Sequence, residues 1–337
     1  MGDASDIKKT LELQTGPRAA GHYGPDLEVM KRAGVYDIFA EVAHFQDRLM
    51  FRAPPYNDGQ GGKKAGRNIA LIEDLQLTLP QSTMVPLLAK ELEKTGLGKI
   101  HFGKEVVAVE QDETGVTISI KDGKTGQVEK SRVNILWEQT GAGPPYEILL
   151  VSNFLASLGK KESSQQMYAI GLDAAETRSD EELLKEENIM AGYDYLMPGP
   201  RPIKCEIEAK AVYYIHQRLA STIRRGRVLL AGDAAHICNP LGTMGLTLGI
   251  LDSEALADAL IMVINDGLPA DRVLTLYSNL RRQVFGYFIN PMFTQNKFRV
   301  ASNADDLERD DGFIRLLKLP EQWTWSSRVT RIIGELI

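Results

Sequence analysis

The stretch RVLLAGDAAHICNPLGTMGLTLGILD, Arg227 to Asp252, decides the fold. Its apolar run, closing at Ala231, suits a strand buried on both faces. Gly232 and Asp233 stand at the end of that strand, and a loop holding Pro240 and Gly242 follows. From about Gly245 the period changes. Leu248, Leu251, Ala255, Ala259 and Met262 recur at steps of three and four, which marks a helix. Glycines let a ligand approach the backbone closely, and a helix N-terminus offers free N–H groups and a positive dipole end. Strand, Gly-Asp, glycine loop and helix start therefore make a seat for an anionic or polar ligand. An Asp at the end of such a strand accepts hydrogen bonds from hydroxyl groups.

Composition bounds the rest. The 337 residues suffice for two domains or one interleaved one, and 43% hydrophobic with 25% charged residues fits a globular protein. A net charge of −6 gives no reason to expect nucleic acid or an anionic membrane as partner. Cys205 and Cys238 cannot build a disulfide framework, so a reducing, cytoplasmic compartment is expected. The longest apolar stretch, Leu246 to Ile264, is broken by Asp252, Glu254 and Asp258, so no membrane span is expected. The five histidines lie scattered, and no metal site is expected.

The pattern Gly232-Asp233-Ala234-Ala235-His236, with Pro240, spaced glycines and Asp252, resembles the second flavin-binding motif of the FAD-dependent aromatic-ring hydroxylases, the group A flavoprotein monooxygenases. The resemblance implies that Gly232 and Asp233 hold the flavin ribityl chain. It places Pro240, Gly242 and Gly245 beside the isoalloxazine ring. Two positions depart from the family: Thr243 stands where a glycine is usual, and Thr247 where an Asn is usual. In this family NAD(P)H reduces the flavin, oxygen forms a flavin hydroperoxide, and an activated ring is hydroxylated.

Outward from the motif, the resemblance reaches back to Pro17-Arg18-Ala19 and a helix in PDLEVMKRAGVYDIFAEV, with Pro25 in its first turn and Gly34 as its stop. It implies Arg18 as a cation near the FAD phosphates; a solvent-facing Arg before a helix is the other reading. The Gly-x-Gly-x-x-Gly loop that cradles a pyrophosphate does not occur in this sequence, so FAD is expected to bind weakly. Gly141-Ala142-Gly143-Pro144-Pro145-Tyr146 is no substitute, because Tyr146 takes the third glycine position and Pro145 lacks an N–H. Residues 46 to 75 read as a hairpin around Leu49–Phe51 and Ile69–Ile72, with Lys63, Lys64 and Arg67 on a solvated loop. Leu79-Pro80-Gln81-Ser82 precedes an expected helix from Thr83 to Lys94, with Ser82 or Thr83 as its cap; the resemblance gives Gln81 a contact near the ribityl or phosphate region.

Glu105–Glu110, Val116–Ile120 and Gln127–Leu136 read as an antiparallel meander with a turn at Asp122-Gly123 and Gly126. The family follows this with a strand ending in Asp-Gly, which Trp137-Glu138-Gln139 does not match. Residues 179 to 193 read as an amphipathic acidic helix and Lys204 to Tyr214 as a strand, and the resemblance makes Gln217 to Val228 the helix that leads into the Gly-Asp strand. His236, near Asp233, belongs to the motif; with no second His or paired acid nearby it reads as structural rather than as a catalytic base. Tyr277 and Arg281-Arg282 match a helix of the family, and Trp323 and Trp325 lie in a C-terminal helical extension.

The expected fold is α/β: an incomplete FAD-binding, Rossmann-like domain (15–45, 76–140 and 216–300) interleaved with a β-sheet substrate domain (46–75 and 141–215), then an extension over 301–337. The resemblance implies an FAD-dependent monooxygenase of aromatic or polyketide-like molecules, with NAD(P)H as electron donor and no assigned catalytic side chain. A sheet lacking its first strand would expose an apolar edge and invite a homo- or hetero-oligomeric partner. The alternative is a degenerate member that works as a cyclase, an isomerase or a non-catalytic partner, or a truncated gene product.

Overall fold

The computed structural model describes residues 4–8, 21–138, 154–156, 167–169, 179–205, 207, 210 and 215–318. Two parallel pairings give the α/β character. Ala4–Lys8 runs beside Gly98–Phe102, and Leu136–Glu138 runs beside Val228–Leu230. The sequence reading passed over the first of these strands, because ASDIK carries no apolar run. The second stands where the family's Asp-Gly strand is expected, although Asp-Gly itself is missing. Residues 139–153 beyond it lie outside the described residues.

The meander forms as read. Lys104–Gln111, Val116–Asp122 and Val128–Val133 pair antiparallel, and Val116, Ile118 and Ile120 bury one face of the central strand. The expected third strand splits: pairing stops at Val133, and Leu136 turns to join Val228. The hairpin also forms, as His44–Arg52 against Asn68–Thr78. Its insert is not simply solvated. The Lys63 ammonium donates to the Tyr195 carbonyl at 2.9 Å, and Arg67 pairs with Asp305 at 2.5 Å and with Glu308. Arg67 thereby ties the hairpin to the helix Ala304–Asp310, whose Leu307 packs with Ile314 of Gly312–Leu317 on Ile69 and Ala70.

Gly24–Arg32 is a helix with Pro25 in its first turn, and Gly34 follows it with φ +73°, a conformation glycine adopts freely. Gln81–Thr95 begins two residues before the expected start at Thr83, so Gln81 belongs to the helix itself; Pro80 precedes it and no side chain caps it. The acidic stretch forms Asp180–Leu183 and Glu186–Leu196. The expected helix over Gln217–Val228 is not there. Arg218–Leu219 pairs with His236–Ile237, and Arg224–Arg225 pairs with Val228–Leu229 across a turn at Gly226, φ +60°. β-Branched Thr222 and Ile223 favour this extended course, and Ile223 is fully buried. Most of Lys204–Tyr214 and the tryptophans of the C-terminal extension lie outside the described residues.

Gly245–Ile264 is the central helix. Ala270–Gln283 packs on it and continues through a widened π-turn, Val284–Ile289, into Asn290–Ala301. Pro291 has no N–H for the carbonyl four residues back and crowds it, and the wider turn absorbs that conflict. The turn also aims Phe285 and Phe293 at the motif loop.

Candidate functional site

The Gly-Asp motif is built around a buried carboxylate. Asp252, on the third turn of the Gly245–Ile264 helix, accepts from the Gly232 N–H at 2.8 Å, from His236 Nε2 at 2.6 Å and from Arg281 Nε at 2.5 Å. All three side chains are nearly or fully buried. Burial pushes the Asp252 carboxyl up, but the hydrogen bond from His236 and the charges of Arg281 and His236 outweigh it, and the net direction is down. His236 therefore does have a paired acid, supplied by the far end of its own motif. Its ring also stacks on Phe285, 5.2 Å between centroids. The Tyr277 hydroxyl donates to the Leu230 carbonyl at 2.8 Å, fastening the next helix to the strand.

From this anchor the chain turns outward. Gly232 is buried with φ +58°, and Asp233 beside it is exposed. Asn239 accepts from the Leu241 N–H at 3.0 Å and donates to the Phe293 carbonyl at 3.2 Å, which fixes the Pro240–Gly242 turn. A Cβ on Gly242 would lie 2.3 Å from Phe293 ring carbons, so packing alone requires glycine there. Gly245 is different: a Cβ there would meet nothing within 4 Å. No side chain caps the helix that starts at Gly245, and its first intrahelical bond runs from the Leu248 N–H to the Met244 carbonyl. The earlier N–H groups are left for other acceptors. Cys238, in the same loop, is pushed up to about 12 by burial and by the charges of Asp233 and Asp252, so it stays a thiol.

The two family departures are both conspicuous. Thr243 has φ +59°, left-handed backbone that is unfavourable for a β-branched residue. Thr247 is fully buried, and its Oγ1 has no hydrogen-bond partner. Thr243→Gly is expected to stabilise the fold by about 1 kcal/mol, since relief of left-handed strain exceeds the greater freedom of the unfolded glycine chain. Chemical denaturation checks this. A loss of stability would mean that the bond from Thr243 Oγ1 to the Gly242 carbonyl, 2.8 Å, outweighs the strain.

Gln81 is half-buried at the first position of its helix, and Met84 of that helix shares a core with Leu246 and Ile250. Gln81 thus stands on an element packed beside the helix start. Arg18 lies outside the described residues. The sequence reading missed a second buried pair: His22 Nδ1 and Asp26 Oδ2 are 2.9 Å apart, both residues 0% exposed. Their spacing of four residues was the available signal.

A strand paired in parallel on one side and antiparallel on the other, leading through Gly-Asp into an uncapped helix start, has the layout of a dinucleotide-type α/β domain. The chain belongs to the FAD binding domain family, whose model matches residues 7–134 and 150–288. It is similar to para-nitrophenol 4-monooxygenase of Pseudomonas sp. (strain WBC-3), 45% identical over 123 residues that make up 36% of this chain and 30% of that protein. It is 27% identical to the rifampicin monooxygenase of Rhodococcus hoagii over 320 residues, covering 84% of this chain and 63% of that one. The chain thus spans less than two thirds of the length of these curated relatives. The crystal structure of p-nitrophenol 4-monooxygenase PnpA from Pseudomonas putida DLL-E4 shares the fold, with a TM-score of 0.76 at 22% identity over 98% of this chain and 91% of that one.

Proposed function

We propose that the protein is a FAD-dependent monooxygenase hydroxylating an aromatic or polyketide-like small molecule. The observation that carries this reading is the joint anchoring of the Gly232-Asp233 turn and the Gly245–Ile264 helix start on one buried carboxylate. The residues fit FAD. The helix start is uncapped, the space beside Gly245 is open, and Asp233 is exposed. The monooxygenase names of the similar proteins support the reaction class and the aromatic substrate.

In this reading Asp233 accepts hydrogen bonds from the ribityl hydroxyls, and Gly232 lets that chain come close. Pro240, Gly242 and Gly245 would lie beside the ring, and the uncapped N–H groups from Gly245 to Thr247 would be donors available to it. Gln81 and Arg18 serve the ribityl and phosphate region. Bound FAD supplies the redox chemistry, taking electrons from NAD(P)H and activating oxygen for transfer to the substrate. The chain's own residues bind, orient and shield the ring. Segments 15–45, 76–140 and 216–300 are assigned to the FAD domain, 46–75 and 141–215 to the substrate domain, and 301–337 to the extension. No helix among the described residues is long and apolar enough to cross a membrane, and the low cysteine content supports a cytoplasmic setting.

NADPH oxidation with added FAD and a panel of phenols tests the activity. Substrate-stimulated NADPH and oxygen consumption with a hydroxylated product is the expected result. A flavin-loaded protein that consumes neither would instead support a non-oxidising member, the reading that the threonines at positions 243 and 247 favour.

A further inference from the structure

The Pro240–Gly242 turn is held by side chains rather than by a backbone ladder. It lies between the short strand His236–Ile237 and the helix that starts at Gly245, and Pro240 brings no N–H. Within the turn, the Thr243 N–H donates to the Pro240 carbonyl at 3.0 Å. Side-chain amides take both polar groups of Leu241. Its N–H donates to Asn239 Oδ1 at 3.0 Å, and its carbonyl accepts from Asn296 Nδ2 at 3.3 Å.

Asn239 is 2% exposed and passes the connection on. Its Nδ2 donates to Gln217 Oε1 at 2.5 Å and to the Phe293 carbonyl at 3.2 Å. Gln217 Nε2 in turn donates to the Asn290 carbonyl at 3.0 Å and to Thr294 Oγ1 at 2.9 Å, with Asn290 Oδ1 beside them. One end of this amide chain is a backbone donor, the Leu241 N–H. The other is a backbone acceptor, the Asn290 carbonyl. These ends force the orientation of both side chains, because a flipped amide would set oxygen against oxygen. All the donors then run the same way, an order in which successive hydrogen bonds strengthen one another.

The buried carboxylate acts elsewhere. Asp252 holds Gly232, His236 and Arg281, so it anchors what precedes the turn and the helix that follows it. The turn itself is placed against the Asn290–Ala301 helix. Gly242 lies against the Phe293 ring of that helix, and half-buried Gln217 bridges from Asn239 to Asn290.

We propose that Gln217 is a positioning residue of the flavin site: through Asn239 it fixes the Pro240–Gly242 turn and with it the seat of the isoalloxazine ring. This rests on the flavin monooxygenase reading, which puts that turn beside the ring. A rigid planar ligand is seated well only where supporting side chains hold the backbone beneath it.

Gln217→Leu keeps the bulk and removes both sets of bonds. Gln217→Glu keeps the acceptor facing Asn239 and loses the donor facing Asn290. Hydrogen exchange of the 241–244 amides is followed without flavin, and FAD is titrated by fluorescence. Gln217→Leu is expected to speed exchange in the turn by roughly ten-fold while the Gly245–Ile264 helix exchanges as in the parent. Its Kd for FAD is expected to rise roughly three- to ten-fold. Gln217→Glu is expected to fall between the two in both readouts. Parental exchange in the turn of folded Gln217→Leu overturns the proposal, and so does faster exchange with an unchanged Kd. Exchange that rises equally in turn and helix marks a general loss of stability and overturns it too. If Gln217→Leu does not fold, Gln217→Glu against the parent decides on the same two readouts. A parent that takes up no FAD fails the flavin reading alone, and exchange in the turn then decides whether Gln217 holds it.

Discussion

Asp252→Ala is expected to cost about 3–5 kcal/mol of stability, because it strands the buried Arg281 guanidinium and frees the Gly232 N–H at once. Three donors converge on this carboxylate from a turn, a strand and a second helix. Removing it loosens all three, so FAD uptake is expected to fall with stability. Guanidinium titrations of parent and variant give the difference. The sign of its pH dependence follows from the lowered Asp252 carboxyl. Its contribution is fully present above the ordinary value of 3.8 and fades as pH falls through the lower folded value. The gap between parent and variant is therefore expected to stay constant from neutral pH down to that region and to close only in stronger acid. A cost under about 1 kcal/mol would show that the cluster contributes no more than an exposed ion pair.

Asp233→Ala acts on the ligand rather than the fold. Asp233 is exposed and lies outside the buried cluster, so little change in Tm is expected. A hydrogen bond to a charged acceptor contributes about 1.5–3 kcal/mol, and its loss is expected to weaken FAD binding by roughly ten- to a hundred-fold. Calorimetric titration of both proteins checks this. Equal affinities would remove Asp233 from the site.

The features that can be read in the sequence are local ones. The period change at Gly245, the alternation of Val116, Ile118 and Ile120, and the turn glycines each announce an element within a few residues. What escaped the reading depends on partners far away in the chain. Arg281 reaches Asp252 across 29 residues, and Lys63 and Arg67 find theirs 132 and 238 residues on. Gln217–Val228 went wrong because the helix was taken from the resemblance: Thr222 and Ile223 favour the extended course, and pairing with His236–Ile237 and Val228–Leu229 fixes it. The His22–Asp26 pair was within reach, at helical spacing. Its full burial is what only the folded chain shows.

The central claim is that the Gly232-Asp233 turn and the helix start at Gly245 seat FAD. Titrating the purified chain with FAD, by quenching of flavin fluorescence and co-elution on gel filtration, tests it most directly. The account expects saturable uptake at one FAD per chain, weakened in Asp233→Ala. Flavin fluorescence that stays unquenched over the whole titration of a folded protein would contradict it.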